Sequence, residues 1–231
     1  MAMRFGTARM SLLGCVLVGA LIAPAGAGAA TAAVDRACYE GDGGDVATIT
    51  GAGFTPDGAV QLQVGGGIVG VTSADAAGNV RTTFPVPAPP ESGPSRNEAS
   101  YDISLVQGPV SAMTTIRSTV PMGDFRPGTG QPRTLKVRFT AIGFGVATPA
   151  GQPMPAVYVH YVDPRGKLRR TVPLGAGVTP CGTIAKTKLR RLFPFNPRRG
   201  SWTLQFDTNP AYRRATDLSR FVNSRVTLTI S

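Results

Sequence analysis

The residues best placed to do chemistry are basic. Arginine occurs in four adjacent pairs, Arg169–Arg170, Arg190–Arg191, Arg198–Arg199 and Arg213–Arg214. Successive strand residues point to opposite faces, so a pair inside a two-faced strand would bury one charge. The pairs are therefore expected at strand ends, hairpin tips and loops. Lys186, Lys188 and Arg190 alternate with Ala185, Thr187 and Leu189, which predicts a basic stripe on the outer face of one strand. Lys136 and Arg138 make a shorter stripe. A guanidinium can hydrogen-bond phosphate bidentately. Lys136, Arg138, Arg169, Arg170, Lys186, Lys188, Arg190, Arg191, Arg198 and Arg199 are thus candidates for a face that binds an anionic polymer. The chemical choices are a teichoic-type wall polymer, anionic lipid head groups, extracellular DNA or an acidic glycan. The competing reading is a solvated surface whose Lys and Arg keep strand edges soluble. Nucleic acid is not the expected partner, because exposed aromatics should interleave with the charges. Phe193 and Phe195 are nearest, and their flanking Pro194 and Pro197 mark a rigid stretch that plugs a core.

Catalytic chemistry has little to draw on, and no enzyme is expected. His160 is the only histidine and lies in an apolar run. A hydrolase would need it beside a hydroxyl and an acid. Asp163 is close in sequence, yet no Gly-x-Ser-x-Gly elbow occurs. The second half carries only Asp124, Asp163, Asp207 and Asp217, too few to suggest paired-carboxylate glycoside hydrolysis. Glu40, Asp42 and Asp45 sit in a Gly-rich stretch, but their spacing fits an ordinary turn rather than a calcium loop. Neither a metal nor a cofactor is expected.

Charge divides the chain. Residues 31–120 hold four Arg against nine Asp and Glu, a net of −5, whereas residues 121–231 hold 18 Lys and Arg against four Asp, a net of +14. Such a split suggests two modules with different surfaces, the second attractive to polyanions and the first a candidate to dock on it. Arginine outnumbers lysine 20 to 4, which a GC-rich genome would also produce.

The chain opens with Arg4 and Arg9, an apolar run from Leu12 to Ala23, and small residues from Ala25 to Ala30. That is the order of a secretory signal peptide, with cleavage expected between Ala27 and Ala33. A lipoprotein reading of Leu12-Leu13-Gly14-Cys15 fails on bulky Leu13 and on a cysteine too early in the apolar run. No later segment is apolar for long enough to cross a membrane, so the mature protein is expected to be secreted, free or associated with the cell wall. Removing the leader takes Cys15 with it and leaves Cys38 and Cys181. An even count in an exported protein favours a disulfide, and with two cysteines its intramolecular connectivity is forced. Two free thiols are the alternative.

Short alternating runs between turn residues read as all-β. Val60, Leu62 and Val64 alternate with Gln61 and Gln63. Val80, Thr82 and Phe84 follow the turn at Asp75–Asn79. Tyr101, Ile103 and Leu105 share a face, and residues 46–50, 68–71 and 112–119 complete the first set. Pro85 to Ser95 reads as a loop crossing between sheets. Residues 121–133, with Pro127-Gly128, Gly130 and Pro132, read as a linker. Beyond it Leu135, Val137 and Phe139 share a face, residues 156–174 form a hairpin around Asp163-Pro-Arg-Gly166, and Trp202, Leu204, Phe206 and Val226, Leu228, Ile230 mark two more strands. Residues 211–222 are a candidate short helix.

The stretch Thr50-Gly-Ala-Gly-Phe54-Thr-Pro56-Asp-Gly58, with Val60-Gln-Leu62 and Ala74-Asp75-Ala-Ala-Gly78, resembles bacterial Ig-like repeats of secreted and surface proteins over residues 46–119. His160-Tyr-Val-Asp-Pro-Arg-Gly166, Pro180-Cys-Gly-Thr183, Leu192-Phe-Pro-Phe195 and Gly200-Ser-Trp-Thr-Leu-Gln-Phe-Asp207 resemble secreted actinobacterial proteins, a likeness that brings no activity with it. The expectation is a signal peptide over 1–30, an acidic Ig-like β-sandwich over 31–120, a linker over 121–133 and a basic β-sandwich over 134–231. The function expected is non-enzymatic binding, with an anionic envelope polymer or a protein as partner. A structural or protein-interaction role with incidental surface arginines is the alternative, and a hydrolase built on His160 is a more distant one.

Overall fold

In the computed structural model, residues 29–41, 44–92, 97–149, 151–214 and 223–230 are described. Residues 1–28, most of the segment expected to be a signal peptide, lie outside them. The first half forms β1 (Thr31–Val34), β2 (Cys38–Glu40), β3 (Val46–Ala52), β4 (Ala59–Val64), β5 (Gly67–Ser73), β6 (Val80–Pro85), β7 (Glu98–Gln107) and β8 (Val110–Thr119). The second forms β9 (Met122–Arg126), β10 (Lys136–Ile142), β11 (Ala156–Val162), β12 (Leu168–Ala176), β13 (Arg190–Arg191), β14 (Gly200–Asp207) and β15 (Asn223–Ile230). No helix occurs among the described residues. The candidate at 211–222 is not helical over Ala211–Arg214, and its remainder lies outside them.

Each half pairs two sheets around its own apolar cluster. In the first, β1-β3-β6 faces β2-β8-β7-β4-β5, and Tyr39, Ile49, Phe54, Leu62, Phe84, Ile103, Leu105 and Ile116 fill the space between. In the second, β13-β10-β9 faces β12-β11-β14-β15, around Phe139, Tyr161, Leu192, Phe193, Trp202, Leu204 and Phe206. Both halves follow an Ig-like order: β1, β3 and β6 stand against β4, β5, β7 and β8, and β9, β10 and β13 against β11, β12, β14 and β15. The cause is visible strand by strand. Val60 and Leu62 are buried while Gln61 between them is exposed, and Val137, Phe139 and Ala141 are buried while Lys136 and Arg138 are not. Period-two alternation turns one face to the core and one to water.

Turn chemistry closes the hairpins. Asp75 Oδ1 accepts the N–H groups of Ala77 (2.9 Å) and Asn79 (2.7 Å). Gly78 has φ of 76°, and a Cβ there would strike the Phe54 carbonyl, so only glycine fits. At the β11–β12 tip Asp163 Oδ1 accepts the N–H of Arg165 and of Lys167, each at 2.9 Å. The Pro-rich stretch after β6 does cross from one sheet to the other and is pinned by Tyr101 Oη donating to Ala88 O.

Among the described residues, the halves meet around a disulfide. Cys38 and Cys181 form a disulfide, buried with Val146. Beside it the Arg36 guanidinium lies over the Tyr39 ring at 4.5 Å. It pairs with Asp45 at 2.8 Å and donates to Val146 O at 3.0 Å. Thr183 Oγ1 donates to Glu98 Oε2 at 3.2 Å. The ion pairs seen among the described residues, Arg36 with Asp35 and Asp45, Arg117 with Glu98, and His160 with Asp207, each lie within one half. Among the described residues a covalent bond and a few hydrogen bonds, rather than paired opposite charges, join the two.

Candidate functional site: a basic sheet face

The outer face of the β9–β10–β13 sheet concentrates positive charge. On β10 the inward turn of Val137 and Phe139 sends Lys136 and Arg138 outward. On β9 the burial of Phe125 does the same for Arg126. Antiparallel register sets Arg138 directly opposite Arg126 and Lys136 directly opposite Arg191. Directly opposed side chains share a face with Cβ atoms about 4.5–5.5 Å apart, and like charges so placed repel. Asp124, opposite Thr140, is the one acid that the register sets on this face.

Lys186 and Lys188 lie beside β10, both exposed, but the single strand expected for them is absent. Ile184 bridges Ala141, and Arg190 pairs with Val137. Five residues, 185–189, therefore stand against three of β10. The surplus breaks the regular ladder. Thr187, buried, holds the segment in place: its N donates to Phe139 O at 2.9 Å, and its Oγ1 accepts Phe139 N at 2.9 Å. Arg138 Nη1 reaches Thr187 O at 3.0 Å and so lies flat across the segment.

The slip corrects the stripe Lys186, Lys188, Arg190. Arg190 now stands opposite inward-facing Val137, is half-buried, and donates to Pro173 O at 3.3 Å. Arg191 takes its place beside Lys136. Arg126 also belongs to the face, although its position in an apparent Pro/Gly linker hid it. Its one sequence signal is Phe125 between Asp124 and Arg126, a short alternation.

The remaining candidates are elsewhere. Arg169 and Arg170 lie near the start of β12, on the edge of the other sheet, with Arg170 opposite Tyr161. Burial pushes the Tyr161 hydroxyl up, while Arg190 and Arg170 pull it down. Arg198 and Arg199 are exposed before β14, where Arg198 O accepts the Trp202 indole N–H at 2.9 Å. Register thus places Lys136, Arg138, Arg191 and Arg126 on one face, with Lys186 and Lys188 alongside, and leaves Arg169 and Arg170 on the opposite sheet and Arg198 and Arg199 in the segment before β14.

His160 sits in a buried polar network on the outer side of β11. Nε2 donates to Asp207 Oδ1 and Asn209 O, both at 3.0 Å, and Nδ1 meets Thr171 Oγ1 at 2.8 Å. The two acceptors at Nε2 assign that nitrogen the proton. An acid, an imidazole and a hydroxyl are thus in line, with His160 and Asp207 both 0 % exposed. Gln205 and Asp207, which alternate with core-facing Leu204 and Phe206, are also buried, held by residues 208–214. Gln205 Nε2 donates to Arg213 O at 2.8 Å and to Asp207 Oδ2 at 2.8 Å.

A groove of about 640 Å³ lies in the first half, among Ala32, Gly51, Ala74, Asp75 and Arg81. Its carboxylate is already taken up by the Asp75 turn. Of the acidic trio near the second strand, Asp45 is committed to Arg36 and to the Glu40 N–H, and Asp42 lies outside the described residues.

No family model matches the chain, and no curated protein matches it. Among solved structures, a tetra-tandem repeat from the extending region of a large adhesion protein matches at 15% identity, covering 89% of this chain and 50% of the other, with a TM-score of 0.28. The fibronectin(III)-like modules of Clostridium thermocellum CbhA match at 10% identity, covering 87% and 94%, with a TM-score of 0.28. Rst D1-D2 matches at 12%, covering 87% and 100%, with a TM-score of 0.32. The chain spans half the length of the first of these. The architecture rests on the strand pairing itself.

Proposed function

We propose that this is a secreted, non-enzymatic binding protein of two Ig-like units, which holds an anionic envelope polymer on the outer face of the β9–β10–β13 sheet. The observation that carries the reading is the pair of like-charged cross-strand contacts, Lys136 with Arg191 and Arg138 with Arg126. Such contacts cost stability in the free protein, and a polyanion laid along them relieves the repulsion. The first unit ends at Thr119. The second begins with β9, so residues 122–126 are counted with it rather than with a linker. Export is supported by the leader's composition and by the disulfide. No helix among the described residues is long and apolar enough to cross a membrane.

Retention on an immobilised teichoic-type phosphate polymer tests the reading. With about six cations engaged, the slope of log K against log salt is on the order of −4 to −5. Replacing Lys136, Arg138 and Arg191 together by Gln weakens retention at least tenfold. Retention indifferent to salt, or to the triple substitution, overturns the proposal.

A protein partner is the second reading, favoured by β5. This edge strand is uncharged and exposes Ile68, Val69 and Val71. Such an edge is a template for strand addition.

A further inference from the structure

On the opposite side of the same sandwich, register lines up Thr171, His160, Gln205 and Arg225 across β12, β11, β14 and β15. The first three are consumed by the buried network. Arg225, at the end of the row, is exposed and has no ion-pair or hydrogen-bond partner among the described residues. The network also fixes the chain that returns over this face. Asn209 O is held by His160, Arg213 O by Gln205, and the Tyr212 ring packs 5.6 Å from the His160 ring. Arg214 therefore follows directly on an anchored carbonyl. Its Nη2 lies 3.8 Å from where a Cβ on Gly166 would stand, over the hairpin tip.

Between Arg214 and Arg225 is a cavity of about 160 Å³, floored by Val162 and Thr203 and walled by Tyr212. Among the described residues that line it are two guanidinium groups with no ion-pair or hydrogen-bond partner, the Thr203 hydroxyl and the Gln205 amide, and none of these lining residues is a carboxylate. We infer that this cavity is a binding site for one tetrahedral oxyanion of the phosphate class, separate from the sheet face proposed above. Size supports a single group: the volume is several times the ~30 Å³ of a water molecule, but below the ~300 Å³ at which pockets take drug-sized ligands. Charge supports phosphate, because two planar forks can each hold two of its oxygens. The buried histidine network acquires a purpose on this reading, since it sets the wall that carries Arg214.

Isothermal titration with inorganic phosphate, glycerol 3-phosphate and acetate, on the intact secreted protein, tests the site. Saturable binding of phosphate is expected, weakened at least tenfold by Arg214→Gln or Arg225→Gln. The Lys136, Arg138, Arg191 triple variant should leave it unchanged, which separates this site from the polymer face. Both arginines are exposed, so their variants fold. Glycerol 3-phosphate binding more tightly than phosphate identifies a headgroup as the natural occupant, and the reverse order identifies the free ion. Acetate binding as tightly as phosphate, no saturable phosphate binding, or phosphate binding that survives both Arg→Gln substitutions overturns the inference.

Discussion

Replacing Cys38 and Cys181 together by alanine should lower the stability of the protein by about 5 kcal/mol. The bond spans 143 residues of sequence, and the loop-closure entropy it removes from the unfolded chain grows with the logarithm of that length, giving about 5 kcal/mol at 25 °C. What else joins the halves is small beside this. The Arg36 contact with Val146 O and the Thr183 contact with Glu98 each contribute about 1 kcal/mol net. For a domain pair of this size the loss corresponds to a fall in Tm of about 10–20 °C. Calorimetry of the oxidised protein and of the double variant measures the whole. Trp202 is the single tryptophan and is buried in the second core, so its fluorescence during urea denaturation reports that half alone. The reasoning is refuted if the double variant loses less than about 1 kcal/mol, because the unfolded chain would then gain almost no freedom from the broken loop.

His160→Ala should destabilise the fold by about 3 kcal/mol, because it strands the fully buried Asp207 carboxylate and the Asn209 carbonyl; an unchanged urea midpoint would contradict the network. The Lys167 N–H, and then the Arg165 N–H and nearby Arg169, hold the Asp163 carboxyl below its usual 3.8 against a smaller effect of burial. A lowered folded pKa stabilises above the unfolded value and is lost as pH falls through the folded one. The Tm advantage of wild type over Asp163→Asn should therefore be full above pH 4 and vanish at lower pH, and a constant difference would count against it. Gly123→Ala should cost about 1–3 kcal/mol by overpacking, since a Cβ there would enter the Phe206 ring; denaturant midpoints with no shift would show that the core yields.

Much of the architecture was legible from residue order. Alternation at Val60–Val64 and Leu135–Phe139 marks strands and their buried faces, because a side-chain period of two is a local property of extended backbone. The turns at Asp75–Gly78 and Asp163–Gly166 announce themselves through short-range hydrogen bonds that need no distant partner. The pairing of Cys38 with Cys181 followed from counting, once the leader's cysteine was set aside. Tertiary structure decided the rest. Alternation states which face a residue occupies, but not which residue stands opposite it. The two extra residues between Ile184 and Arg190, which move Arg191 rather than Arg190 beside Lys136, exist only as a mismatch with β10. Arg126 entered the basic face because a segment rich in proline and glycine paired with a distant strand. Gln205 and Asp207 are buried and held by residues 208–214, which their own strand does not encode. Charge and periodicity are written along the chain; the juxtaposition of like charges, and the covering of a polar face, arise only when strands far apart in sequence are brought into register.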